Sequence, residues 1–93
     1  MSQEPRPMIK RPQIKKDAED EILYRVQRWL EMRLRQKGRR QLASRHELLG
    51  ILDEEMAELR EAVHSGTRAA IDSECLDVAV AAIMGLLSPD WGW

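Results

Sequence analysis

Ser44-Arg45-His46-Glu47-Leu48-Leu49-Gly50-Ile51-Leu52-Asp53-Glu54-Glu55-Met56-Ala57-Glu58-Leu59-Arg60-Glu61-Ala62-Val63-His64-Ser65-Gly66 is a stretch that carries its own start and stop signals. Ser44 followed three residues later by Glu47 is a capping box, in which a hydroxyl and a carboxylate satisfy the free N–H groups that open a helix. Gly66 is the residue type that closes one, and His64 near it suits the electronegative end. Between them Leu48, Leu49, Leu52, Met56, Leu59 and Val63 recur at three and four, which places them on one side of an α-helix and predicts a core stripe.

Working outward, a short loop over 65–68 leads into a second helical run that continues to about Leu87, where Ser88 and Pro89 stop it. From Val78 onward that run is apolar on all sides, as expected of a central helix or an oligomer seam. Upstream, about Asp17 to Lys37 predicts another helix, with Asp17, Glu19, Asp20 and Glu21 in its electropositive first turn and Lys37-Gly38 at its end. Ile22, Leu23, Val26, Trp29, Leu30 and Leu34 share one arc of it. Arg33 falls inside that arc, either as a contact to a carboxylate or phosphate or as a chain that runs out to solvent from the rim. No strand pattern or internal repeat competes with these three helices. The expected fold is therefore all-α, with three main helices in an antiparallel bundle spanning 17–88.

Two short segments flank the bundle. Residues 1–16 hold Pro5, Pro7 and Pro12 among Arg6, Lys10, Arg11, Lys15 and Lys16, a basic arm whose composition resists regular structure. Without an aromatic residue on which a base could stack, it reads as a solvated tail rather than a nucleic-acid contact. Residues 89–93 end in Trp91-Gly92-Trp93, whose indoles are expected to dock on a neighbouring surface.

Composition narrows the class. Among 93 residues 43% are hydrophobic and 33% charged, too polar for a membrane protein. The longest weakly polar run, Val78 to Leu87, is about half a bilayer span. No secretion signal is visible, so the expected compartment is the cytoplasm. The single Cys75 lies in an apolar run and is expected to be a buried, inert thiol. A domain this small buries little apolar surface alone, which predicts a homodimer or homotetramer. Net charge is −1, yet residues 1–46 carry thirteen Lys and Arg against six acids (+7), and residues 47–93 carry ten acids against Arg60 and Arg68 (−8). Either a basic helix packs beside acidic ones, or the acidic half gathers a divalent cation while the basic half meets phosphate.

The acids are not all where solvent should be. Glu47, Glu54 and Glu61 fall outside the apolar arc of their helix, but Glu55 sits within it and Glu58 lies at its margin beside Ala62. Glu74 and Asp77, again three apart, share a face with Ala81 and Met84 on the next helix. Burying a carboxylate without a partner costs several kcal/mol, and here consecutive antiparallel helices each do it. A divalent cation offsets both the burial and the mutual repulsion, and an all-oxygen set suits Mg²⁺ or Mn²⁺ rather than zinc. His46 and His64, eighteen residues apart near opposite ends of one helix, offer no metal pair.

Glu55-Met56-Ala57-Glu58, then fifteen residues, then Glu74-Cys75-Leu76-Asp77 resembles the E-x-x-E and E-x-x-D pairs of the MazG-like all-α nucleoside triphosphate pyrophosphohydrolases. Glu54 to Leu59 is similar to that family's EE-x-x-EL segment, and Asp77-Val78 to its DV. The resemblance spans about residues 44–87. It implies Mg²⁺-dependent hydrolysis of a nucleoside triphosphate to the monophosphate and pyrophosphate, with Glu55, Glu58, Glu74 and Asp77 holding the ion and Glu55 or Glu58 also activating water. Outer phosphates would meet basic groups drawn from Arg33, Lys37, Arg39, Arg40, Arg60 and Arg68, with Arg33 and Lys37 foremost. Trp29 would stack on a base or else serve as core. Relatives often add a fourth helix bearing a Lys and an Asn, which has no counterpart here. Two expectations follow: a four-helix-type core completed by oligomerisation, or a member with reduced or lost activity. A phosphoribosyl-ATP-hydrolysing branch is a poorer match, because its Lys-x-Gly-Glu-Glu lead-in is replaced by Gly50 to Glu55. The alternative to an enzyme is a non-catalytic helical oligomerisation module that keeps a metal-binding carboxylate cluster.

Overall fold

A computed structural model describes residues 10–90. Its elements are α1 (Lys16–Lys37), α2 (Arg45–Ser65) and α3 (Arg68–Leu86), with no strand among the described residues. Residues 10–15 of the arm are exposed and outside any helix. The rest of the arm and the expected docking of Trp91 and Trp93 lie outside the described residues.

Each helix end has a local cause. α1 begins without a side-chain cap; Lys16 instead pairs with Glu19 and Asp20 on its own first turn. It ends where Gly38 turns left-handed at φ 79°, and the N–H groups of Gly38 and Arg39 close on the Leu34 carbonyl. Ser44 caps α2, its Oγ accepting from the Glu47 N–H at 3.1 Å, while Glu47 Oε1 accepts at 2.6 Å from the Ala43 N–H, one residue before the N-cap position that a capping box uses. At its far end Gly66 is extended rather than left-handed, contrary to the expected C-cap. What demands glycine there is space, since a Cβ would stand 2.7 Å from the Ala62 carbonyl oxygen. Thr67 then caps α3 by accepting from the Ala70 N–H.

The core is assembled around α3. Leu76, Val80, Ala81 and Met84 of α3 are buried together with Ala62 of α2. α3 packs against both other helices, while the α1 and α2 backbones do not approach each other closely. The bundle is thus the three-helix, all-α arrangement expected, with α3 as its central helix. The 38–44 loop is tied to the end of α3 by Ser88, whose buried hydroxyl donates to the Met84 carbonyl and accepts from the Leu42 N–H. Gln41 and Asp90 join the same ends through two further hydrogen bonds.

Two expectations fail on burial. Of the α2 stripe, Leu49, Met56 and Val63 are exposed, and α1 buries none of its apolar arc, leaving Ile22 and Leu23 open. Periodicity identifies an apolar face but does not supply an element to cover it. Cys75 is also exposed, and it borders an open cleft between α1 and α3 together with Ile22, Val26 and Leu76.

Candidate metal centre

The two acidic pairs converge. Residues three apart on a helix share a face, and the two-residue turn at Gly66-Thr67 sets the Glu55/Glu58 pair of α2 opposite the Glu74/Asp77 pair of α3. One carboxylate oxygen from each of the four lies within 4.8 Å of the others. Glu55, Glu74 and Asp77 are half-buried and Glu58 is exposed, so the cluster has a wall and a mouth.

Its electrostatics are unbalanced. Glu55 Oε1 and Glu74 Oε1 are buried and accept no hydrogen bond. Burial raises the pKa of Glu55 above the usual carboxylate range, and the negative charges of Asp77, Glu58 and Glu74 push the same way against the opposing Arg33. Glu74 is raised chiefly by burial too, then by Asp77 and Glu58. Two orphaned oxygens amid mutually repelling acids are a donor set that a hard divalent cation fits.

α1 contributes to the same centre. Trp29 donates its indole N–H to Asp77 Oδ1 at 2.8 Å. That half-buried indole is therefore tied to the cluster through its N–H and also borders an open cleft. The bond was legible in principle, since an inward Trp needs an acceptor for its N–H and the anomalous acids were the nearest kind on offer. One turn on, Arg33 is half-buried and forms no ion pair among the described residues.

Arg33 borders two clefts. The smaller, about 190 Å³, lies between it, Trp29 and Asp77. The larger, about 500 Å³, brings Arg33, Lys37 and Arg40 to one side and Glu47 and Glu54 to the other. The basic groups drawn from sequence thus separate. Arg33, Lys37 and Arg40 share a cavity that none of the four clustered carboxylates lines, Arg33 alone also bordering the cleft at Asp77, whereas Arg68 pairs with Asp72 at the start of α3. Arg39 and Arg60 are exposed and border neither cleft. Glu54, read as plain surface from the sequence, lines the basic cleft, and neither histidine joins the acidic cluster.

Neither a protein-family profile, nor a curated protein, nor a solved structure matches this chain. Among the described residues no helix is long and apolar enough to cross a membrane.

Proposed function

We propose that the chain is a nucleotide pyrophosphohydrolase that uses Mg²⁺, or Mn²⁺ in its place, to split a nucleoside triphosphate into the monophosphate and pyrophosphate. The observation that carries this reading is the gathering of Glu55, Glu58, Glu74 and Asp77 within 4.8 Å, with two buried oxygens left without a donor. Those four side chains would hold the ion. Bound there, it would supply charge neutralisation at phosphate oxygens and a more acidic water.

The remaining roles fall to the chain itself. Glu55, whose proton affinity is raised by burial, or Glu58 at the open mouth, would take a proton from the attacking water and orient it. Arg33 and Lys37, with Arg40, would bind the outer phosphates in the adjoining cleft. Trp29 holds Asp77 in position at the wall of the smaller cleft. The working form would be a homodimer or homotetramer in the cytoplasm.

A panel of ribo-, deoxyribo- and modified nucleotides supplied with Mg²⁺ tests this. Pyrophosphate rather than phosphate should appear, and Glu55→Gln or Asp77→Asn should abolish it. The exposed apolar residues of α1 and α2 favour a second reading, a non-catalytic assembly module whose carboxylates serve metal-linked stability. Under that reading Mg²⁺ raises the melting temperature while no nucleotide is turned over.

A further inference from the structure

Leu49, Met56 and Val63 recur every seven residues along α2 and are 58%, 41% and 56% exposed. Half-buried Leu52 and Leu59 stand between them at alternating intervals of three and four, so this flank of the helix has the spacing of a coiled-coil seam. At 100° per residue Met56 and Glu58 lie about 160° apart. The exposed Glu58 at the mouth of the acidic cluster therefore points away from the exposed Met56, whereas Glu55, about 40° from Leu59, borders the seam on its buried side.

Charge selects the occupant and its direction. Asp53 and Arg60 flank the seam, are exposed, and form no ion pair or hydrogen bond among the described residues. They stand seven residues apart on the same edge, so a copy of α2 running the opposite way brings each against the other. A parallel copy would instead bring Arg60 toward Glu55, which is turned into the carboxylate cluster, and Asp53 toward the apolar Leu48.

We propose that a second copy of this chain docks its α2 antiparallel on this seam, about a two-fold axis passing between residues 57 and 58. Leu52 then faces Val63 of the second copy, Met56 faces Leu59, and Asp53 and Arg60 exchange partners twice. This deepens the oligomeric part of the proposed function by assigning its surface, and it leaves the mouth of the metal centre at Glu58 open.

Sedimentation equilibrium of the full chain should give twice the 10.8 kDa of one copy. Met56→Lys should give the single-copy mass with unchanged helical circular dichroism. Asp53→Arg and Arg60→Asp should each weaken the dimer by about tenfold through like-charge repulsion. The double variant D53R/R60D should regain most of that loss. A wild-type chain that stays at the single mass at 100-fold the concentration of an ordinary assay overturns the proposal, because the seam is then covered from within the chain or left bare. So does a dimer that survives Met56→Lys, or single-variant losses that the double variant fails to recover. Mg²⁺-dependent melting of Met56→Lys is read separately: a retained shift with a lost dimer supports both proposals, and a wild-type dimer without any metal response sinks the metal centre alone.

Discussion

Trp29 and Asp77, forty-eight residues apart in the chain, are joined by an indole N–H that donates to a carboxylate oxygen at 2.8 Å. This is the link by which α1, which buries no residue of its own, fixes one corner of the acidic cluster. A carboxylate held by one oxygen keeps a single rotamer, and its second oxygen is then free to face the ion. Trp29→Phe keeps most of the ring and removes the donor. We expect metal affinity to fall by about tenfold, the scale of a lost hydrogen bond to a charged group. Calorimetric titration with Mg²⁺ measures it, and an unchanged affinity would show that Asp77 needs no positioning.

Acid should stabilise the metal-free protein. Glu55 and Glu74 have folded pKa values raised above 4.5, so within the window between that value and their folded pKa values the native state binds more protons than the unfolded one. Stability is therefore greatest below the window and is lost as pH rises through it. With chelator present, the melting temperature should drop as pH increases from 4.5 toward neutrality. With Mg²⁺ present the trend should flatten or reverse, because protons and cation compete for the same oxygens. A melting temperature that rises with pH in chelator would refute the assigned directions.

Ser88 is fully buried, and its hydroxyl joins the Met84 carbonyl to the Leu42 N–H. Ser88→Ala leaves the Leu42 N–H without its acceptor at the point where the 38–44 loop meets α3. A loss of about 1–3 kcal/mol is expected, visible in chemical denaturation. The same loop borders the basic cleft through Leu42 and Ala43, so a change in nucleotide affinity should accompany it.

Gly66→Ala should destabilise more than Gly38→Ala, and for a different reason. At Gly66 the new methyl meets the Ala62 carbonyl oxygen at 2.7 Å and the chain must shift. At Gly38 nothing crowds the methyl, and only the positive φ of 79° is unfavourable, at about 1 kcal/mol. Thermal melts of the two variants side by side decide the ranking.

These positions also mark what the sequence alone can convey. Ser44 and Glu47 announce the start of α2 because capping is local, involving groups within one turn of each other. The acidic pairs were legible because carboxylates at apolar positions conflict with their own surroundings, and conflict is visible without knowing the partner. Leu49, Met56 and Val63 show the opposite case. Their spacing specifies a shared face, but whether that face is covered depends on elements whose positions no local pattern encodes. Cys75 is exposed for the same reason: apolar neighbours in sequence do not reveal which side of a helix is left uncovered. Gly66 carried the right residue type for the wrong cause, because the extended backbone that brings it beneath Ala62 follows from the two-residue turn and not from a left-handed cap.

The basic cleft makes the sharpest kinetic prediction. Arg33, Lys37 and Arg40 line one cavity and form no ion pair among the described residues, and Arg33 lies close enough to Glu55 to favour its charged form. If they bind the outer phosphates, Lys37→Ala and Arg40→Ala should raise KM by about tenfold each with kcat little changed, as removal of uniform binding requires. Arg33→Ala should act on both constants, since it also removes a positive charge that opposes protonation of Glu55. Its pH–rate profile should shift its acidic limb upward as the Glu55 pKa rises further. Arg68→Ala serves as the control, because Arg68 pairs with Asp72 on the exposed start of α3 and borders neither cleft beside the carboxylates. Equal effects at Arg68 and Lys37 would mean that only net charge matters and that the cleft is not where the phosphates bind.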